Sequence, residues 1–199
     1  WQRYSAENIR KLMGADWLYY QSAPAASAEL LPLGLSASRD HSEVKTMNEN
    51  DIAVVVTCHA PHLKWFSQAL ANINQQMPLP TERVVVFDRC QPPAGLASGW
   101  RIVEGDWGHP AGGRNAGLAA TTAPWVIFWD ADNVMPQGYI VAVQQGIRTA
   151  APDLAILYPD IQYCDENLRP QRLWTTPAWD YWGMRAENHV DTASAWRRE

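Results

Sequence analysis

The residues best suited to chemistry are Asp130 and Asp132, two carboxylates one residue apart at the end of the apolar run Trp125-Val126-Ile127-Phe128-Trp129. That run is short, β-branched and aromatic, and lies between Pro124 and a polar turn, so it is expected to be a buried strand. Side chains two apart in an extended segment share a face, so both carboxylates are expected to converge on one cation. Oxygen ligands alone suit Mg2+ or Mn2+, which complete their shells with water and substrate phosphates. The other reading of the same residues is an Asp-rich turn capping the next helix. Two more apolar runs end on polar groups, Thr57-Cys58-His59 and Asp88-Arg89. Ligands of open α/β sheets bind at the carboxyl ends of strands, so the three ends together describe one cleft edge.

The elements that must position these groups begin at Asp51. Ile52–Thr57 and Arg83–Asp88 read as strands buried on both faces, the pattern of a parallel sheet. Between them, Trp65, Phe66, Ala69, Leu70 and Ile73 form one apolar stripe of a helix over Lys64–Gln76, ended by Pro78 and Pro80. A short strand is expected at Trp100–Val103. Gly112-Gly113-Arg114-Asn115-Ala116-Gly117 opens a helix whose small residues permit close backbone approach. A further helix is expected over Gln137–Ala150, and strands over Leu154–Tyr163 and Leu173–Trp174, with a turn at 165–167. This alternation is α/β with a mostly parallel sheet. Residues 1–50 are expected to be an arm, a helix carrying Ile9, Leu12, Met13 and Leu18 and then a linker rich in Ala, Ser and Pro. Residues 51–199 are expected to be the folded domain.

Composition narrows the function. A net charge of -5 over 199 residues argues against a general nucleic-acid binder. No apolar run is long enough to span a membrane, and no secretory leader is visible, so a cytoplasmic protein, free or peripheral to a membrane, is expected. The three cysteines form no CxxC pair, which fits a reduced chain without a zinc site. Eleven tryptophans serve either packing or sugar-stacking platforms.

The order of these motifs resembles the family 2 glycosyltransferases of GT-A fold. The resemblance covers about residues 51–139. It rests on the first strand and its polar turn, the helix from Trp65 to Gln76, the strand from Arg83 to Asp88, Arg114-Asn115-Ala116-Gly117, and the strand from Phe128 into Asp130-Ala131-Asp132. It implies a nucleotide-sugar donor, with Thr57 and His59 in the base-and-ribose turn and Asp88 on the base. Asp132 would hold Mn2+ or Mg2+ on the diphosphate, Asp130 would contact ribose or metal, and Ala131 is counted with the donor contacts. Arg114 would lie near the donor, touching phosphate or pairing with Asp130 or Asp132. Because uracil carries an imide N–H that cytosine lacks, an Asp acceptor points to a UDP-sugar. The reaction implied is hexosyl transfer with inversion to a saccharide or other hydroxyl acceptor, as in polysaccharide synthesis.

Two departures stand out. The first turn usually reads Pro-Thr-Tyr-Asn, whereas this chain has Thr57-Cys58-His59-Ala60. The family also places its catalytic base in a second half, beyond a segment like His189–Arg198. Asp191 is the candidate base within this chain, and His189 is expected to be structural rather than a ligand. A chain ending at Glu199 is thus expected to bind donor but transfer sugar poorly, unless Trp174–Trp182 builds an acceptor subsite. The competing class is a non-catalytic nucleotide-sugar-binding module. A nucleotidyltransferase is a weaker third reading, because the first strand lacks a Gly-rich phosphate loop. Residues 5–16 are similar to a helix of amidophosphoribosyltransferases, with nothing else of that family present.

Overall fold

The computed structural model describes residues 48–96 and 98–198. The N-terminal helix and nearly all of the expected linker lie outside them. Four strands run parallel: β1 (Ile52–His59), β2 (Glu82–Asp88), β3 (Arg101–Gly105) and β4 (Trp125–Asp130). Beside β4 lie β5 (Ile156–Leu157) and β8 (Ala195–Arg197), and β8 runs antiparallel to both. The sheet order is β3-β2-β1-β4-β8-β5. A separate hairpin joins β6 (Ile161–Cys164) to β7 (Pro170–Trp174). This is the mostly parallel, Rossmann-like sheet expected of a GT-A-like chain.

Helices cover both faces, which explains why the central strands are apolar throughout. Val54, Val56 and Cys58 of β1 pack with Phe66, Leu70 and Ile73 of α1 (Leu63–Asn74) and with Ile140 and Val143 of α3 (Tyr139–Thr149). Ala53 and Val55 face the other way, toward the layer that holds Val84, Val86 and Leu118. There α2 (Pro110–Ala119) lies on β1 and β2, with Gly113 and Gly117 buried. Each large side chain such as Phe66 contributes about 1.5–3 kcal/mol by leaving water. Buried Gln76, just past α1, donates to the Pro136 carbonyl at 2.9 Å and accepts from the Ile140 amide at 3.4 Å. It ties the end of α1 to the start of α3.

Several boundaries differ from expectation, each for a local reason. α3 starts at Tyr139 because Gly138 takes a left-handed φ of 82° at its N-cap. The third strand is shifted to Arg101–Gly105, while Trp100 turns its ring to Arg83 and its indole N–H to Asn74. The expected strand over Leu154–Tyr163 breaks at Tyr158-Pro159-Asp160, and its halves join different sheets. Proline has no N–H to give a ladder. The antiparallel β8 has too short an apolar pattern to be read as a strand in sequence, and its place is set by pairing with β4.

Candidate active site

Strand order reverses between β1 and β4, and at such a point the connecting loops diverge and leave a crevice. Here it is a cavity of about 470 Å³, lined from the β1 end by Thr57, His59 and His62, from the β2 end by Asp88 and Arg89, and from α2 by His109 and Arg114, with Asp130 of β4. That is the volume of small-molecule sites generally.

Asp130 is the hub of this crevice. It accepts from the Thr57 hydroxyl at 2.9 Å, from Arg114 Nη2 at 3.1 and 3.3 Å, and from the Thr192 hydroxyl at 3.4 Å. The β1 and β4 ends, α2 and the segment before β8 therefore meet on one carboxylate. The Arg114 contact is the ion pair that the sequence left open. Its Nε is buried and has no hydrogen-bond partner among the described residues, and such a donor costs about 1–3 kcal/mol when unmet.

The two carboxylates do not act as a simple strand pair. β4 ends at Asp130, and Asp132 lies beyond it in a turn whose Ala131 amide donates to the Thr57 carbonyl at 3.2 Å. Ala131 itself is fully buried. Asp132 is exposed, and its Oδ2 stands 3.6 Å from His62 Nε2. It is not among the residues lining the cavity and meets it through His62. Among the described residues, no group of three or more His, Cys, Asp or Glu side chains converges as a metal cage. With Asp130 held by three donors, Asp132 is the carboxylate suited to a divalent ion. A single carboxylate fits Mg2+ or Mn2+ when substrate phosphates and water supply the other ligands.

Asp88 has a structural duty that the sequence did not reveal. Its Oδ1 accepts from the amides of Trp107 at 2.8 Å and Gly108 at 3.1 Å, and its Oδ2 accepts from Gly108 at 3.1 Å. Burial raises its carboxyl, but the amides of Gly108 and Trp107, followed by Arg89 and His109, outweigh that and hold it below the ordinary range. A carboxylate offers about four acceptor positions, so capacity remains on Oδ2. Arg89 has a left-handed φ of 56° and pairs with Asp106. Strained backbone of this kind concentrates at functional sites.

α2 begins at Pro110, so Arg114 sits in its second turn rather than at its start. His109 caps the helix, with Nδ1 accepting from the Gly112 amide at 3.0 Å. Helix N-termini favour anions through free N–H groups and the aligned peptide dipoles. Cys58 is no nucleophile, because burial, then Cys90 and Asp132, push its thiol up to about 12. The three cysteines are free.

Asp191 does not line the cavity. Its Oδ1 accepts from the Ala193 amide at 2.8 Å, a turn that leads into β8 and delivers neighbouring Thr192 to Asp130. The backbone amide of His189 donates to Met184 Sδ at 3.4 Å. Trp100, Trp125 and Trp129 are buried in the core. Trp182 and Tyr181 of α4 (Tyr181–Ala186) are exposed, with Arg185 over both rings, and lie apart from the cavity lining. Sequence reasoning missed His62, His109 and Thr192, whereas Arg89, read with Asp88 as a polar strand end, does line the cavity. Only His109-Pro110, a capping residue before a helix-starting proline, carried a signal that could have been read.

Residues 53–194 match the model of the family described as glycosyl transferase family 2. No curated protein matches the chain. Among solved structures, the chain is similar to S. aureus TarS 1-349, at 15% identity over 74% of this chain and 47% of that one, with a TM-score of 0.48. The same protein in complex with UDP-GlcNAc gives 14% identity over 74% and 45%, with a TM-score of 0.48. The 2-C-methyl-D-erythritol 4-phosphate cytidylyltransferase from Thermus thermophilus gives 15% over 74% and 70%, with a TM-score of 0.42. This chain thus spans about half the length of the TarS chains.

Proposed function

The chain belongs to glycosyl transferase family 2, and from that premise we propose that its cavity binds a UDP-sugar for metal-dependent, inverting transfer to a hydroxyl acceptor. The observation that carries this reading is the convergence of Asp88, Arg114 and Asp130 on one cavity at the β1, β2 and β4 ends. Asp88 Oδ2 accepts from the uracil N3–H while its other contacts keep the carboxylate fixed. His59 and the β1 turn lie against base and ribose. Arg114, held by Asp130, and the N-terminus of α2 face the diphosphate with positive charge, the sign needed as the leaving group gains charge. Asp132 holds Mn2+ or Mg2+, which when bound neutralises the departing diphosphate.

In the proposed reaction an acceptor hydroxyl attacks the anomeric carbon from the face opposite the diphosphate. The new C–O bond forms as the bond to the diphosphate breaks, UDP leaves, and the hydroxyl proton passes to the carboxylate of Asp191. The neighbouring Thr192 donates to Asp130, a contact that supports this reading. The competing reading, a nucleotide-sugar-binding module without turnover, is favoured by the Asp191 Oδ1 contact to the Ala193 amide, which suits a turn former as well as a base.

Following UDP release from a panel of UDP-sugars separates the two. Mn2+-dependent release is expected from at least one donor, and any part that depends on an acceptor should vanish in Asp191→Asn. Saturable UDP-sugar binding with no release from any donor would reject the enzyme in favour of the module. Acceptor-dependent release that survives Asp191→Asn would remove Asp191 as the base.

A further inference from the structure

His62 comes from an element that the DxD pattern does not include. It ends the 3-10 turn Ala60–His62 after β1 and is the N-cap residue of α1, where its side chain makes no capping hydrogen bond. The ring instead packs against two others, the His59 ring at 4.0 Å and the Trp65 ring edge-on at 5.9 Å between centroids. Its Nε2 is aimed at Asp132 Oδ2, 3.6 Å away, and the two side chains are 26% and 37% exposed. Two ligands with bonds of about 2.0–2.2 Å to one ion stand at most ~4 Å apart, so the pair is spaced to share a cation. Asp130, the other carboxylate of the motif, is taken up by Thr57, Arg114 and Thr192.

We propose that His62 and Asp132 together form the protein's share of the divalent-cation site, one imidazole nitrogen and one carboxylate oxygen. This rests on the donor-metal reading above and goes further in naming the second ligand and the ion it selects. A carboxylate with water and phosphate oxygens suits Mg2+ as well as Mn2+, whereas imidazole favours transition ions. The site therefore prefers Mn2+ and Co2+ to Mg2+. Trp65 and His59 position the ring, and its packing fixes which nitrogen faces Asp132.

The test uses the full chain with UDP and Mn2+. Electron spin-echo modulation of the bound Mn2+ is expected to show coupling to a directly bonded nitrogen, which disappears in His62→Gln. The ratio of Mn2+ to Mg2+ affinity for the protein–UDP complex should fall about tenfold or more in that variant, the scale on which groups around a metal tune its binding. Mn2+ bound with no nitrogen coupling, coupling that persists in His62→Gln, or an unchanged metal ratio would overturn the assignment while leaving the donor-metal reading in place. UDP affinity identical with Mn2+ and with chelator in the unaltered chain would overturn both. The side chain caps nothing at α1, so the variant is expected to fold, and an unchanged melting temperature checks this.

Discussion

Asp132→Ala is expected to leave UDP affinity in the presence of chelator unchanged and to remove nearly all of the gain that Mn2+ confers. The expected loss is roughly tenfold to a hundredfold, because even residues outside the first coordination sphere cost that much. Stability should hardly move, since Asp132 is exposed and its ion-pair contact among the described residues is with His62; surface changes of this kind stay within about 0.5 kcal/mol. Asp130→Ala is the instructive contrast. It takes away the carboxylate that Thr57, Arg114 and Thr192 share, so it should cost about 1–3 kcal/mol of stability as well as affinity. Calorimetry with and without metal, paired with urea melts, separates the two carboxylates. Equal Mn2+ enhancement in the parent and in Asp132→Ala would end the metal role of Asp132.

The second large effect belongs to the helix that carries Arg114. A Cβ on Gly117 would stand 2.2 Å from Val55 Cγ1 and 3.0 Å from Val86 Cγ2. Val55 is fully buried on the central strand and β-branched, so it has no rotamer into which to retreat. α2 must lift instead, carrying Arg114 away from Asp130. Gly117→Val is expected to destabilise by about 3 kcal/mol, the upper part of the usual overpacking range, and to weaken UDP binding in the fraction that remains folded. One turn earlier, a Cβ on Gly113 would meet Val86 Cγ1 at 3.7 Å, an ordinary contact. Gly113→Ala should therefore stabilise by about 0.5–1 kcal/mol through the lower entropy of the unfolded chain. Denaturant midpoints read both. Effects of the same sign would contradict the close approach of α2 to the sheet.

Much of this architecture was legible in the sequence. Ile52–Val56, Val84–Phe87 and Trp125–Trp129 read as buried strands because unbroken apolar runs have only one home, between two helical layers. The stripe from Phe66 to Ile73 gave α1 for the same reason. What escaped was whatever depends on a partner distant in the chain. β8 is three residues long and exists through pairing with β4. The break at Pro159 was visible as a proline, but not as a change of sheet. In the site, the spacing of Asp130 and Asp132 suggested one shared cation, yet the strand ends between them and each carboxylate meets different neighbours. Arg114 was foreseen near the donor, but only the fold chooses Asp130 as its partner. His62 carried no signal at all, because a histidine after an alanine and a proline acquires meaning only when Asp132 stands 3.6 Å away.

The measurement that tests the uridine-nucleotide site most directly is a titration of UDP and CDP into the parent chain and Asp88→Asn. Asparagine keeps a carbonyl oxygen for the amides of Trp107 and Gly108, so the turn should survive. Its amide N–H2 then faces the base, where it repels the uracil N3–H and complements the acceptor N3 of cytosine. A hydrogen bond to a charged group is worth about 1.5–3 kcal/mol, so UDP should weaken by roughly tenfold to a hundredfold while CDP holds or tightens. Equal losses for both nucleotides, or no change in either, would contradict the assignment of this cavity to a uridine-nucleotide donor.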